Sequence, residues 1–215
     1  MHLYAIYNFR FNKLLSLFIS SIQDELDVTL FHTDITPKQF MDEDYRKLID
    51  FKVQKCLETI KENKGKYIIW SDIDIVFLKP VLSKINFALD TDLIAVPEFD
   101  PNGDDSNNGI RRANWINAGF LILHCNDKII ALYEELLIRL TINQNKRFYE
   151  QDLLNELIIE RKIRVEKLTN DFWLMHKKKP SSISMAHATS RHGDDKYNEL
   201  AYVFNNRKKY ITKIF

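Results

Sequence analysis

Apolar residues along this chain fall into two alternating kinds of segment. Short runs rich in β-branched and aromatic residues occupy 3–9 (LYAIYNF), 27–34 (DVTLFHTD), 66–70 (KYIIW), 91–99 (TDLIAVPEF) and 117–125 (NAGFLILHC). Runs of that length and make-up predict strands. Three of them, 66–70, 91–99 and 117–125, are almost continuously apolar, as strands of a parallel sheet buried on both faces tend to be. Residues 12–26 carry apolar side chains at 14, 15, 17, 18, 19 and 22, the spacing of a helix packed on a sheet. Residues 42–63 predict a long amphipathic helix with Leu48, Phe51, Cys56 and Ile60 inward and Gly65 as its stop. This alternation predicts an α/β fold, a mostly parallel central sheet flanked by helices. After about residue 160 the pattern loosens into short strands, turns and a basic tail (NNRKKYITKIF), predicting a small additional sheet near the C-terminal part. No repeat or linker divides the 215 residues, so a single domain, 1–215, is expected.

Composition narrows the partners. Hydrophobic residues make up 45% and charged residues 28%, ordinary for a globular protein. The 31 basic and 30 acidic residues leave a net charge of +1, which gives no electrostatic case for nucleic acid. Cys56 and Cys125 fall inside predicted elements and read as buried free thiols. No apolar run approaches the roughly 18 residues of a membrane span. The opening MHLYAIYNFRFNKLL lacks the layout of a secretion signal. The expectation is a cytoplasmic protein or a module of a larger chain.

The chemistry concentrates in KYIIWSDIDIVFLKP, 66–80, where an apolar strand delivers Asp72 and Asp74 one residue apart. Along an extended chain these two share a face while Ile73 points into packing. Paired carboxylates beside a buried strand are costly unless paired or bound to a cation, and two hard oxygen donors suit Mn²⁺ or Mg²⁺. In parallel α/β sheets ligands bind beyond the carboxyl ends of the strands, where these residues fall. Solvated turn residues, or a helix cap near Pro80, are the plainer alternative.

WSDIDIVFLKP resembles the metal-binding segment of nucleotide-sugar glycosyltransferases of the GT-A fold. Three further segments follow in that family's order. WINAGFLIL (115–123) resembles the strand beside the donor sugar. YEQDLLNEL (149–157) resembles the segment near the reacting carbon. SMAHATS (184–190) resembles the segment whose His completes the metal shell. Glycogenin and the galactosyltransferases of lipopolysaccharide synthesis share this series, and the Lys/Ile/Asn-rich compactness resembles the first domain of a chlorella-virus glycosyltransferase, which would place the chain in a host cytoplasm. The resemblance implies a GT-A, Rossmann-like domain with a nucleotide-binding half at about 1–100 and an acceptor and sugar half at about 113–215. It implies a UDP-sugar donor, a glycan or glycoprotein acceptor, Mn²⁺ or Mg²⁺ as cofactor, and retention of anomeric configuration.

Residue by residue, it implies Asp72, Asp74 and His187 as metal ligands, with His192 a rival for the third place. Ala5, Ile6, Tyr7, Asn8, Arg10, Asp34, Lys52, Asp72 and Lys196 are nucleotide-binding candidates. Tyr7 would stack on the base or belong to the core. Asp34 would contact the base or cap a helix begun by TPKQF. Lys52 is favoured over Lys55 for the diphosphate. Trp115, Asn117, Ala118, Gly119 and Asp152 are candidates for the sugar; Gly119 would let backbone approach ligand or simply form a bulge. Gln151 and Asp152 are the catalytic candidates and Glu150 the reserve carboxylate. The loop 100–112, with Arg111 and Arg112, would close over the donor or remain a surface loop. Two other classes also use paired Asp or bind nucleotide-sugars. A metal-dependent nucleotidyltransferase or phosphohydrolase would need a Gly-rich loop after the first strand, and YNFRFN has no Gly. A non-catalytic nucleotide-sugar binding domain would bind without turnover.

Overall fold

A computed structural model describes residues 1–38, 42–85, 87, 90–98, 115–142, 150–168, 172–175, 179–180, 182–188 and 194–210. The central sheet contains β1 (His2–Tyr7), β2 (Asp27–His32), β3 (Tyr67–Ser71), β5 (Leu93–Pro97), β6 (Ile116–His124) and β7 (Val165–Lys167), in the order β2-β1-β3-β6-β5-β7. A second, three-stranded sheet orders β4 (Ile75–Phe77), β9 (Met185–His187) and β8 (Phe172–Leu174) as β4-β9-β8. The helices are α1 (Asn12–Ser21), α2 (Glu43–Glu62), α3 (Asp127–Ile142), α4 (Glu150–Glu160) and α5 (Asp194–Asn205).

Alternation along the strands sends side chains into two cores, one on each face of the large sheet. Leu3, Ala5, Ile69, Phe120 and Ile122 pack with Leu14 and Phe18 of α1, the small sheet, and Leu200 and Val203 of α5. Tyr4, Ile68, Trp70, Leu121 and Leu123 pack with Val53, Cys56, Leu57 and Ile60 of α2 and with α3 and α4. Both cysteines are buried and free, and burial pushes the Cys125 thiol up to about 12.

Local chemistry sets the element ends. Asp42 caps α2 by accepting from the Tyr45 N–H at 2.7 Å, and Glu43 and Asp44 favour the helix dipole in the first turn. Gly65, at φ +84°, turns the chain after α2, and its N–H bonds Cys125 O at 2.8 Å. The first helix ends at Ser21 rather than at 26. The buried Ser21 hydroxyl donates to Phe18 O and accepts from Phe77 N, which ties this end to β4. Asp24 then caps the turn at Val81, so the residues read as a last helical turn act as a strap.

One further expectation needs correction. The 117–125 run forms β6, which lies antiparallel to both β3 and β5. Continuous apolarity reports burial on two faces and is silent on direction. The expected small additional sheet is present, with β8 and β9 from the C-terminal part and β4, which follows directly on Asp74, at its edge. The expected loop over 100–112, with Arg111 and Arg112, lies outside the described residues.

At the end of the sheet away from Asp72, the nearly inaccessible Asp92 carboxylate gathers Arg164, through its backbone N–H and guanidinium, and the Asn126 amide at 2.8 Å. Burial alone would raise this carboxyl, but Arg164 and Asn126 hold it down at about 2. Because the folded value lies below the ordinary one, the stabilisation is full above about pH 4 and is lost as pH falls toward 2. It amounts to about 2 kcal/mol. Urea unfolding at pH 7 and pH 2.5 should show Asp92→Asn less stable at neutrality and flatter across that range. Parallel pH profiles for the two proteins would contradict this.

Candidate active site

The reversal of β6 builds the site. Because β6 runs against its neighbours, its first residues arrive where β1, β2 and β3 end. Ser71 pairs with Phe120, and the Asp72 N–H bonds Gly119 O at 2.7 Å. Residues 72–74 are not themselves strand. They are pinned between the sheets, since the Ala188 N–H bonds Asp74 O at 3.1 Å. Ile73 is buried, as expected.

Asp74 is buried, and its carboxylate meets an imidazole and an ammonium. His187 Nε2 lies 3.2 Å from Oδ1, and Lys196 Nζ donates to Oδ2. Burial would raise this carboxyl, yet Lys196 and His187 hold it far below the usual range. Asp72 is a third exposed and pairs with Lys52 at 2.9 Å. Lys52 also reaches Glu150 at 3.2 Å, and both of these groups are nearly inaccessible. Burial works against the Lys52 charge, but Asp72 and Glu150 outweigh it and raise its pKa. Glu150 is raised by burial despite Lys52. Lys55 pairs instead with Glu58 on the same helix.

Ligand atoms of Asp72, Asp74 and His187 all lie within 4.8 Å of one another. Donors around a small divalent cation stand roughly 3–4 Å apart, a separation of the same order. Two carboxylates and an imidazole are the chemistry Mn²⁺ accepts, and Mg²⁺ the carboxylates. The residues therefore fit the cation that the sequence implied.

Asn117 and Gln151 lie against this cluster. Asn117 Nδ2 donates to Glu98 Oε2 at 3.0 Å and to Gln151 Oε1 at 3.2 Å. Gln151 Oε1 also accepts the Ala118 N–H. Asn155, one turn along α4, clamps the backbone of Ile116 through both ends of its amide. The space above Gly119 holds the His187 ring, so what needs the glycine is a side chain of this protein. Asp152 starts α4 with Glu150 and Gln151, and Trp115 precedes β6, where its carbonyl accepts the Glu98 N–H.

The other expected nucleotide residues, apart from Lys52, Asp72 and Lys196, lie along β1 and just after β1 and β2. Ala5 is buried and in register with Leu30 and Ser71, whereas Ile6 and Tyr7 extend past the last residue of β3. Asn8 is buried and donates to Ile35 O, and among the described residues its Oδ1 has no partner. Arg10 donates to Pro37 O. Asp34 is almost fully exposed, 3.7 Å from His32, and residues 35–38 are not helical, so it caps no helix there. His192 lies outside the described residues.

Two residues missed in the sequence belong here. Phe9 is 65% exposed and packs on His32, 4.3 Å between ring centroids, beside Tyr7. It is the more accessible ring. Glu98 follows an apolar strand just as Asp72 does, and that signal was legible.

This arrangement defines a class: an α/β domain with an acidic, cation-competent cluster at its strand ends. Residues 18–199 match the nucleotide-diphospho-sugar transferase family, and the chain belongs to that family. The fold is shared with a glycosyltransferase involved in the glycosylation of the major capsid of PBCV-1, 14% identical, TM-score 0.62, over 94% of this chain and 98% of that one. It is shared too with the galactosyltransferase LgtC, 11% identical, TM-score 0.57, over 94% and 95%. Mouse xyloside xylosyltransferase 1 is 11% identical, TM-score 0.56, over 88% and 97%. An uncharacterized Arabidopsis thaliana protein is 28% identical over 122 residues, which is 56% of this chain and 32% of that protein. The chain thus spans about a third of the curated relative it matches. Among the described residues no helix is long and apolar enough to cross a membrane.

Proposed function

We propose that this chain is a metal-dependent glycosyltransferase that moves a sugar from a UDP-sugar to a hydroxyl of a glycan or glycoprotein, with retention at the anomeric carbon. The observation that carries this reading is the convergence of Asp72, Asp74 and His187, flanked by two lysines, at the strand ends of a nucleotide-diphospho-sugar transferase domain. Those three residues would hold Mn²⁺ or Mg²⁺, which supplies Lewis-acid neutralisation of the charge on a leaving diphosphate.

The chain's own groups do the rest. Lys52 and Lys196 are ammonium donors already aimed at the acidic cluster and able to turn to phosphate oxygens. Phe9 and Tyr7 offer faces to the uracil, with Asn8, Arg10 and Asp34 around them. Gln151 and Asp152 stand where α4 meets β6, on the side of the sugar, and Glu98 and Glu150 add carboxylates to that wall. No side-chain nucleophile is required, since the charge to be stabilised lies on the leaving group and the reacting carbon.

The test is release of UDP from a panel of UDP-sugars with Mn²⁺, with and without glycan acceptors. Slow UDP release from one sugar donor, accelerated by an acceptor and abolished by EDTA, is expected. Binding without turnover of any donor would leave a nucleotide-sugar binding domain, and turnover untouched by EDTA would refute the cation.

A further inference from the structure

The sequence points Asn117 at the donor sugar, yet both ends of its amide are engaged inside the protein. The Ala118 N–H donates to Gln151 Oε1, which fixes that oxygen as an acceptor. Asn117 turns its NH₂ toward this oxygen and toward the Glu98 carboxylate. Its Oδ1 accepts the Gly119 N–H at 2.9 Å. The amide therefore has one orientation, and its oxygen lies 3.1 Å from His187 Nδ1. His187 Nε2 lies 3.2 Å from Asp74 Oδ1.

The buried imidazole is thus held between two acceptors. A neutral ring carries one N–H and can serve only one of them. It offers a lone pair to a cation at Nε2 only when its proton sits on Nδ1. The ring is also confined in place, because a Cβ at position 119 would lie 2.2 Å from its Cε1 and 2.9 Å from its Nδ1. We infer that Asn117 is a positioning residue of the cation site: its Oδ1 keeps the His187 proton on Nδ1 and so leaves Nε2 open beside Asp74. This rests on the reading that Asp72, Asp74 and His187 bind a divalent cation. It gives Asn117 a task within the protein, acting through His187.

The test compares wild type with Asn117→Ala and Asn117→Asp, the second of which retains an acceptor oxygen. Mn²⁺ binding is measured by the electron paramagnetic resonance signal of the free ion. The His187 N–H is followed in ¹⁵N-histidine-labelled protein with Mg²⁺ and UDP. Wild type should show a hydrogen-bonded Nδ1–H. Asn117→Ala should lose that resonance and bind Mn²⁺ roughly 10–100-fold more weakly, the usual effect of losing an outer-shell partner. Asn117→Asp should keep the resonance. Asn117→Leu, which keeps the branched shape of asparagine without its polar atoms, makes the same comparison if the alanine variant does not fold. Equal Mn²⁺ affinity in wild type and Asn117→Ala, or a ring proton on Nε2 with the cation bound, overturns the inference and leaves the cation site standing. No Mn²⁺ binding by wild type overturns both.

Discussion

Asp74→Ala is expected to abolish Mn²⁺-dependent UDP binding while the chain stays folded. Asp74 lies between His187 Nε2 and Lys196 Nζ, and these neighbours hold its carboxyl far below the usual range. Its removal takes a carboxylate from the proposed cation site and leaves an ammonium and an imidazole around the vacated space. The loss of UDP affinity in Mn²⁺ should exceed the roughly 10–100-fold that an outer-shell change costs. Stability should fall by less than the 3–5 kcal/mol or so seen when a fully buried pair is broken. Lys196 is about a quarter exposed on α5, so its head can turn to water. Titration calorimetry with UDP and Mn²⁺, beside a urea curve, separates the two effects. Unchanged UDP affinity would remove Asp74 from the site.

Gly119→Ala is expected to act as strongly from a residue with no side chain of its own. The new Cβ would stand 2.2 Å from His187 Cε1, closer than side-chain atoms approach, and 3.0 Å from Asn117 Oδ1. The strand cannot recede. Its next residue pairs with Ser71 of β3, and the Gly119 carbonyl holds the Asp72 N–H. The imidazole must leave instead, and Nε2 leaves Asp74 with it. Overpacking of this kind costs about 1–3 kcal/mol of stability. The larger effect is loss of the third ligand, so Mn²⁺ affinity should fall at least as far as in His187→Ala. Wild-type Mn²⁺ affinity in Gly119→Ala would show that the ring has another place to go.

Much of this site could be read from the chain because strands end where ligands bind. Asp-Ile-Asp after a buried run gave the position of the carboxylates, and segment order supplied His187 and the Gln151–Asp152 turn. Lys52 could also be picked over Lys55: it lies four and eight residues before the buried Cys56 and Ile60, on the inward stripe of α2. The role of Asn117 was not legible, because it depends on the direction of β6, and an apolar run has no direction. The same holds for Gly119. A glycine in a strand announces that something comes close, and only the fold shows that it is a histidine 68 residues on. Phe9 was passed over for Tyr7 since both are aromatic at a strand end, and exposure separates them only in three dimensions. The shortened α1 reflects one serine hydroxyl choosing a partner in β4.

The central claim is that Asp72, Asp74 and His187 form a cation site for a nucleoside diphosphate. The most direct test is a thermal-unfolding titration of wild-type protein with UDP alone, Mn²⁺ alone and the two together. A ligand that binds the folded state raises the melting temperature with its concentration. A rise that requires both, grows with UDP and disappears in EDTA is the expected result. A rise with UDP that is indifferent to EDTA, or none with either ligand, would contradict it.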